Sequence, residues 1–309
     1  MSGTASIIGF DRPGGPEVLA VSTAPLPVVG AGEARVRVAA AGVHPADLAL
    51  RAGVRPIAGA APHVPGMAFS GVVDVAGDGS VWSAGDRVMG MALPSGPRGG
   101  AYRSAIVAPD DTLAAVPAHV DLAHAAVLPM NGHTAAQALR SLGAQPGETV
   151  AVTGAAGALG AIVVPLAAQR GLRVVAVARE TDRQRVRSLG ANAFVASGDN
   201  LADRIVAAAG DAVAGLVDLA VLDDEVLRAV RPGGVIATLR GWTGPEGTTV
   251  RVLPVMVPEE WHRGAQLEEL ADTRYLSRPL RAFAPEHAAE AHRLIASRGV
   301  RESVVIDFS

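Results

Sequence analysis

The first third of the chain alternates polar and apolar residues over short stretches. Residues 34–40 (ARVRVAA) follow the two-residue period of a half-buried strand, and residues 69–76 and 87–91 are further short apolar runs. Turns rich in Gly and Pro, such as residues 93–100, separate these runs. Short strands between such turns predict an antiparallel, β-rich domain.

From about residue 122 the pattern changes. Residues 122–142 have a helical period that is interrupted around Pro129 and Gly132. Strands are predicted at 149–153, 173–178, 193–195, 216–221, 235–239 and 303–308. Helices are predicted at 158–170, 181–189, 201–209, 224–230, 259–271 and 285–297. The alternation between residues 149 and 239 predicts a doubly wound parallel sheet with helices on both faces.

The composition narrows the class of protein. A chain of 309 residues suggests about two domains, and 49% hydrophobic with 18% charged residues is typical of a globular protein. Cys is absent and all 27 basic residues are Arg, which excludes thiolate and lysine chemistry. A net charge of −3 and 3% aromatic residues do not favour nucleic-acid binding. Without a signal peptide or a membrane-length apolar run, we expect a cytoplasmic protein.

One glycine-rich motif joins a predicted strand to a predicted helix. Residues 150–160 read VAVTGAAGALG. Gly154 and Gly157 permit a tight turn close to a pyrophosphate, and Gly160 permits close helix packing. Backbone N–H groups at the start of the helix favour phosphate. The candidate cofactor-binding residues here are Gly154, Ala155, Ala156, Gly157, Ala158 and Leu159.

Two other interpretations of this motif stay open. A turn in a chain rich in Ala and Gly has the same appearance. A methyltransferase-type nucleotide fold also fits residues 230–235 (VRPGGV), although its first glycine loop usually carries an acidic residue that this loop lacks.

The end of the next predicted strand bears on the choice of cofactor. An NAD site has Asp or Glu there to bind the ribose hydroxyls. This chain instead has Arg179 followed by Glu180, with Arg183 nearby. A guanidinium group makes bidentate, charge-assisted bonds to a phosphate. The sequence therefore favours NADPH, with Arg179 and Arg183 as candidate ligands, while a shift of one residue places Glu180 at the ribose.

Six motifs follow one another along nearly the whole chain. They are residues 14–19 (GGPEVL), 41–47 (AGVHPAD), 64–73 (VPGMAFSGVV), 85–88 (GDRV), 129–135 (PMNGHTA) and 146–150 (PGETV). This series resembles the zinc-independent medium-chain dehydrogenases/reductases of the quinone oxidoreductase type. The resemblance implies a GroES-like catalytic domain at 1–121 and 256–309 and an NADPH-binding Rossmann domain at 122–255, with the active site in the cleft between them.

The resemblance also implies chemistry without a metal. Zinc-bearing relatives have Gly-His-Glu where this chain has Gly66-Met67-Ala68. His44, His63 and His133 have no neighbouring cluster with structural-zinc spacing. The expected reaction is hydride transfer from NADPH to a quinone or an α,β-unsaturated carbonyl compound, a small-molecule substrate.

Site residues are carried over from the resemblance position by position. His44 stands where the family usually has Asn, and its ring is a candidate proton donor. Asp47 is expected to orient this loop or to cap a helix. Arg55 replaces a Tyr that is the proposed proton donor in many relatives, so we expect it to pair with an anionic group instead. The other expected site residues are Asn131 and Trp242 near the substrate and Thr134, Leu239, Arg240 and Gly241 near the nicotinamide.

Each of these side chains also has a plain structural interpretation, from cleft-wall packing to a solvated loop. Two other functions therefore stay open: a non-catalytic NADPH-binding sensor or scaffold, and a tailoring enzyme of a biosynthetic pathway. The resemblance further predicts a homodimer that forms through residues 248–254 (TTVRVLP), a candidate edge strand.

Overall fold

The computed structural model of the protein describes residues 3–54, 57, 59–297 and 299–309. They form two compact units, which we call unit 1 (Met1–Met130 with Pro258–Ser309) and unit 2 (Asn131–Val257). The domain limits that we predict lie at 121/122 and 255/256, and the roles assigned to those domains stay predictions. Among the described residues no helix has the length and apolar character needed to cross a bilayer.

Fifteen strands and eight α-helices are found in the part of the chain that is described. The strands are β1 (Thr4–Gly9), β2 (Ala20–Pro25), β3 (Glu33–Gly42), β4 (Ala68–Ala76), β5 (Arg87–Met91), β6 (Ala105–Pro109), β7 (Leu113–Ala115), β8 (Thr149–Thr153), β9 (Arg173–Ala178), β10 (Ala193–Ala196), β11 (Val213–Asp218), β12 (Val230–Thr238), β13 (Arg251–Pro254), β14 (Leu280–Phe283) and β15 (Ser303–Asp307). The helices are α1 (Pro45–Arg51), α2 (Leu122–Ala125), α3 (Leu128–Leu142), α4 (Gly160–Gln169), α5 (Arg183–Ser188), α6 (Leu201–Ala209), α7 (Gly264–Leu270) and α8 (Ala288–Ala296).

Unit 1 is built around one large, mostly antiparallel sheet. Its order is β14-β15-β3-β4-β5-β7, and β6 also pairs with β3. Alternate residues of β3 face the core, because Val36 and Val38 are buried. Arg35, the residue before Val36, points outward and donates to Asp74 on β4, at 3.0 Å from Nε to Oδ1. This alternation is the two-residue period of residues 34–40, so the half-buried strand is confirmed.

Unit 2 is an all-parallel sheet of six strands in the order β10-β9-β8-β11-β12-β13. In chain order this is 3-2-1-4-5-6, the order of a dinucleotide-binding fold. The strand order reverses between β8 and β11, and ligands of such sheets bind outside the carboxyl ends of the strands at that point. The predicted fold class, a GroES-like β-rich domain with a Rossmann domain, is confirmed.

Several predicted elements end elsewhere than expected. Helix α3 continues through Pro129 and Gly132, and the helical run is interrupted at 126–127 instead. Pro129 is tolerated because it lies in the first turn of α3, where a backbone N–H has no helical partner. The predicted helix at 224–230 is a 3₁₀ helix, Asp223–Ala229. Similarly, 259–271 divides into a 3₁₀ turn, Val257–Glu260, and the short helix α7.

The strand expected at 216–221 is wrong at its carboxyl end. Strand β11 ends at Asp218, and the chain then turns sharply. Val221 has φ +56° and Asp223 has φ +52°. A left-handed backbone is uncommon for any side chain and is strained for a β-branched one, so the strand does not continue.

Candidate nucleotide site and buried polar cluster

The turn after β8 places glycine where a side chain does not fit. Gly154 has φ +59°, and a Cβ atom there would lie 3.2 Å from the carbonyl carbon of Leu219. A Cβ atom on Gly160 would lie 2.5 Å from the carbonyl oxygen of Ala155. The first turn of α4 therefore packs directly on the backbone of the turn, as the dinucleotide-binding motif requires. We call residues 154–159 the nucleotide loop.

The nucleotide loop leaves hydrogen-bond donors at the start of α4. Gly157 N–H donates to Gly154 O at 2.9 Å, and Ala161 N–H donates to Gly157 O at 3.0 Å. Within the described ranges, no group accepts a hydrogen bond from the N–H groups of Ala158 and Leu159. Ala158 is exposed. These two donors and the positive end of the α4 dipole suit a phosphate group.

A buried carboxylate holds the neighbouring loop, residues 219–223, at the same edge of the sheet. Asp218 ends β11 and accepts hydrogen bonds from the Thr153 hydroxyl at 2.6 Å and from Leu222 N–H at 2.7 Å. Ala220 N–H donates to the Thr153 hydroxyl oxygen at 3.0 Å. Thr153 ends β8, so this pair joins the two strands that flank the point where the strand order reverses. We did not predict either residue, because the expected strand 216–221 places Asp218 within a strand.

The charged residues after β9 are already paired with each other. Arg179 Nε lies 3.5 Å from Asp182 Oδ2, and 54% of its side chain is exposed. Arg183 makes a bidentate pair with Glu180, at 2.6 and 2.9 Å, and stacks on Phe194. This pair lowers the pKa of Glu180, chiefly through the Arg183 hydrogen bond. Arg183 thus holds a carboxylate, whereas Arg179 has only a loose ion pair at the carboxyl end of β9.

The remaining candidate residues in unit 2 differ in burial and in their contacts. Thr134 on α3 is buried, while Asn131 is half-buried. The turn after β12 contains half-buried Leu239, exposed Arg240 and Gly241, which has φ +77°. Trp242 is half-buried and packs against the apolar core of unit 2, and its carbonyl oxygen accepts a hydrogen bond from Thr238 at 3.1 Å. Part of the Trp242 side chain therefore has a packing role.

In unit 1, His44 and Asp47 lie together at the start of α1. Asp47 Oδ2 accepts the His44 backbone N–H at 2.8 Å, so Asp47 does cap the helix. The His44 side chain is 4% exposed, and Nδ1 lies 3.7 Å from the same oxygen. Neither ring nitrogen has a hydrogen-bond partner among the described residues. A buried polar group without a partner is costly and calls for a functional explanation.

Three buried residues that sequence reasoning missed extend this cluster. The Tyr102 hydroxyl lies 3.4 Å from Asp47 Oδ2 and 3.0 Å from His292 Nε2. Arg51 reaches His292 Nδ1 at 3.3 Å and donates to Gly14 O at 3.1 Å. Burial lowers the pKa of His292 to about 4 and raises that of Tyr102 well above its usual value. Burial also lowers the pKa of Arg51.

Glycines close the cluster by close packing. Gly66 N–H donates to Asp47 Oδ1 at 3.1 Å, and Gly66 has φ +97°. A Cβ atom on Gly66 would lie 2.4 Å from the Tyr102 ring. A Cβ atom on Gly42 would lie 2.6 Å from the His44 ring. Two of the family-like motifs, 41–47 and 64–73, thus meet at Asp47.

Two predictions remain, one about Arg55 and one about a metal site. Arg55 lies outside the described residues, so its expected pairing with an anion stays a prediction. Among the residues that the structure describes, no group of three or more His, Asp or Glu side chains is arranged to hold a metal ion.

Comparisons with known proteins agree with the two-unit architecture. The alcohol dehydrogenase GroES-like domain matches residues 30–118. The quinone oxidoreductase of Rattus norvegicus is 33% identical over 203 residues, which is 64% of this chain and 60% of that protein. The chain thus matches less than two thirds of that relative's length. The polyketide synthase component PikAII of Streptomyces venezuelae is 33% identical over 243 residues, 78% of this chain and 6% of that protein.

The solved structure of the quinone oxidoreductase from Coxiella burnetii superposes with a TM-score of 0.83. The match covers 99% of this chain and 100% of that one at 24% sequence identity, and so speaks for the fold. By its motifs and by these matches, the chain is similar to the medium-chain dehydrogenases/reductases of the quinone oxidoreductase type.

Proposed function

We propose that the protein is an NADPH-dependent oxidoreductase that reduces a quinone or an α,β-unsaturated carbonyl compound without a metal. The observation that carries this proposal is the nucleotide loop of unit 2. Its glycines leave room for a close backbone approach, and the N–H groups of Ala158 and Leu159 are available as donors. The quinone oxidoreductase of Rattus norvegicus, by its name, supports the same substrate class.

The residues of unit 2 fit the parts of a dinucleotide. The nucleotide loop would hold the pyrophosphate, and Arg179 would hold the 2′-phosphate of NADPH, because its guanidinium is half-exposed and only loosely paired. Thr134 and residues 239–241 would line the nicotinamide end. When bound, NADPH supplies the hydride.

The residues of unit 1 would supply the proton that completes the reduction. A two-electron reduction of a C=C bond or a quinone needs one hydride and one proton. The His44 ring is the candidate donor, because its nitrogens have no partner among the described residues and Asp47 lies beside it. Asp47 itself is occupied by backbone donors and would act by orienting His44. Asn131 and Trp242 are proposed to contact the substrate.

The first experiment tests cofactor binding and turnover together. Titration with NADPH and NADH, followed by a panel of quinones and enones at 340 nm, should show tighter binding of NADPH and its oxidation. Tight binding of S-adenosylmethionine in place of NADPH would contradict the proposal. NADPH binding without oxidation by any acceptor would favour the non-catalytic alternative.

A charge placed in the loop tests the site itself. Ala158→Asp adds a carboxylate among the candidate phosphate donors, whereas Ala158→Asn has nearly the same size and no charge. Because residue 158 is exposed and precedes α4, both variants should fold. We expect Ala158→Asp alone to weaken NADPH binding by about tenfold or more, the order of a charge repulsion in a partly buried site. Equal NADPH binding by the two variants would show that the pyrophosphate does not bind at the nucleotide loop.

A second candidate role is that of a tailoring reductase in a biosynthetic pathway. The likeness to the polyketide synthase component PikAII covers more of this chain than the rat protein does. Comparing turnover of enoyl thioesters with that of simple quinones discriminates the two roles. A higher kcat/KM for the thioesters would support biosynthesis.

Quaternary state and location are also proposals. Strand β13 ends the sheet of unit 2 and is paired with β12 on one side among the described strands. Leu253 on this strand and Met256 just after it are exposed. A free strand edge with apolar side chains suits pairing with a second copy of the chain, and light scattering would measure the mass in solution. A cytoplasmic location and the lack of nucleic-acid binding stay predictions.

A further inference from the structure

A line of buried polar side chains runs through unit 1 from α8 to α1. His292 on α8 is 0% exposed, as are Tyr102 and Asp47. The Tyr102 hydroxyl lies between the other two, 3.0 Å from His292 Nε2 and 3.4 Å from Asp47 Oδ2. Arg51, at the end of α1, is bonded to the other side of the His292 ring. The line therefore connects residues far apart in sequence to the helix start that carries His44.

Donor chemistry fixes the direction of each hydrogen bond in this line. A guanidinium group can only donate, so Nδ1 of His292 must accept from Arg51. His292 is then neutral with its proton on Nε2, and that N–H donates to the Tyr102 oxygen. The Tyr102 O–H in turn donates to the Asp47 carboxylate, which can only accept when ionised. Every proton in the line thus points from Arg51 toward Asp47.

Asp47 is held from three sides by this arrangement. His44 N–H and Gly66 N–H donate to its two oxygens at 2.8 and 3.1 Å, and Tyr102 supplies the third donor. The oxygen that Tyr102 approaches is Oδ2, the one that lies 3.7 Å from His44 Nδ1. The Tyr102 hydroxyl and the His44 ring therefore approach the same carboxylate oxygen, so a change in the Tyr102 hydrogen bond changes how strongly that oxygen attracts a positive charge on His44.

We propose that His292 is a positioning residue, which acts through Tyr102 to set the orientation and charge of Asp47 beside the His44 ring. Its importance for catalysis rests on the proposed function, in which His44 donates the proton. The geometry itself concerns only unit 1. The arrangement parallels other sites in which a second group orients the partner of an acid or base.

Charged groups of both signs act on this line. Asp47 and Arg51 act on His292 with opposite sign, and burial dominates over both. Glu17 and Arg293 act on Arg51, and they favour and disfavour its charge respectively. Arg51 retains its charge over the pH range of any assay because guanidinium titrates far above it.

The test uses histidine-selective ¹⁵N NMR of the full chain, which needs no activity. In the wild-type protein we expect His292 to be neutral with the proton on Nε2. Removal of the Tyr102 hydroxyl in Tyr102→Phe leaves Asp47 with one donor fewer, so its attraction for the imidazolium grows. We expect the titration of His44 to move upward by about half a pH unit or more, within the usual range for a lost hydrogen bond to a charged partner.

Variants of His292 separate positioning from packing. His292→Leu fills space without a donor and should move the His44 titration in the same direction as Tyr102→Phe but by less, because the Tyr102 hydroxyl remains beside Asp47. His292→Gln keeps an N–H donor and should return the His44 titration toward the wild-type value. The same order is expected for the alkaline limb of the kcat/KM profile, where a proton donor loses its proton. A role in packing alone would give equal shifts in Leu and Gln variants.

Two further results would overturn the inference. One is a wild-type His292 that carries its proton on Nδ1. The other is an unchanged His44 titration in folded Tyr102→Phe. If His292→Leu does not fold, the His44 titration in Tyr102→Phe and the His292 tautomer in the wild-type protein still test the inference. A protein that fails to oxidise NADPH would refute the proposed function and leave the NMR result intact, so the two failures are distinguishable.

Discussion

The Tyr102 hydroxyl lies 3.0 Å from Nε2 of His292, although 190 residues separate the two along the chain. Both side chains are fully buried, and their rings meet edge to face at 5.7 Å between centroids. This contact joins α8, near the end of the chain, to the loop that carries Tyr102. It therefore ties the C-terminal segment to the candidate catalytic loop of unit 1.

The first prediction concerns stability against pH. Burial lowers the pKa of His292 in the folded chain to about 4, from 6.5 for an ordinary His. The unfolded chain therefore binds the proton more readily between these values, and stability must fall as the pH drops from 6.5 to 4. A shift of this size corresponds to about 3 kcal/mol, an upper figure that is fully lost only below pH 4.

Urea unfolding at pH 4.5, 5.5 and 7 measures this slope. His292→Gln has no titrating ring and should flatten it, whereas His119→Gln is the matched control because His119 is exposed. A slope that is equal in wild type and His292→Gln would show that other groups cause the acid sensitivity.

The second prediction concerns Gly66. Gly66→Ala would combine a left-handed φ with a Cβ placed 2.4 Å from the Tyr102 ring. Gly79→Ala is the control, because Gly79 also has positive φ but has no atom within 4 Å of a Cβ. We expect about 1 kcal/mol for Gly79→Ala from backbone strain and about 2 kcal/mol more for Gly66→Ala from the clash. Thermal unfolding measures both, and equal losses would mean that the Tyr102 ring moves aside freely.

Local patterns predicted most of the fold, while the buried cluster was beyond them. The two-residue period of 34–40 and the alternation after residue 149 reflect neighbouring residues, and both predictions hold. The Tyr102–His292 contact depends on how distant segments pack, which no local period encodes. One signal was available: His292 lies one and four residues after the buried Ala291 and Ala288, on the apolar face of α8.

The unit 2 site shows the same division. The nucleotide loop was predictable because its glycines are required by the backbone conformation and close contacts of the loop itself. Asp218 was not, because the apolar run that continues to Val221 resembles a strand to its end. The left-handed backbone at Val221 lies inside the turn that Asp218 closes on Leu222 and Asp223, and Asp218 is itself held by Thr153, 65 residues away in the chain.

The third prediction therefore concerns Thr153. Thr153→Val keeps the shape but removes the hydroxyl that bonds Asp218 and Ala220. Leaving Asp218 Oδ1 and the Ala220 N–H without this partner should cost about 1–3 kcal/mol. Because the 219–223 loop packs on Gly154, we also expect weaker NADPH binding. Thr112→Val is the control, since Thr112 is equally buried and makes one bond, to Pro109 O. Loss of stability with unchanged NADPH affinity would show that the 219–223 loop does not contribute to cofactor binding.

The fourth prediction concerns the choice of cofactor. Arg179→Ser removes the loosely paired guanidinium at the end of β9 and should raise the KM for NADPH about tenfold or more, the usual worth of a charge-assisted bond. NADH lacks the 2′-phosphate, so its KM should change little. Arg187→Ser, on the exposed face of α5, is the control for a simple loss of positive charge. Arg183→Ser should act more weakly than Arg179→Ser, because Arg183 is held by Glu180 and Phe194. Parallel losses for NADPH and NADH in Arg179→Ser would mean that this side chain supports the fold of the site rather than binding the 2′-phosphate.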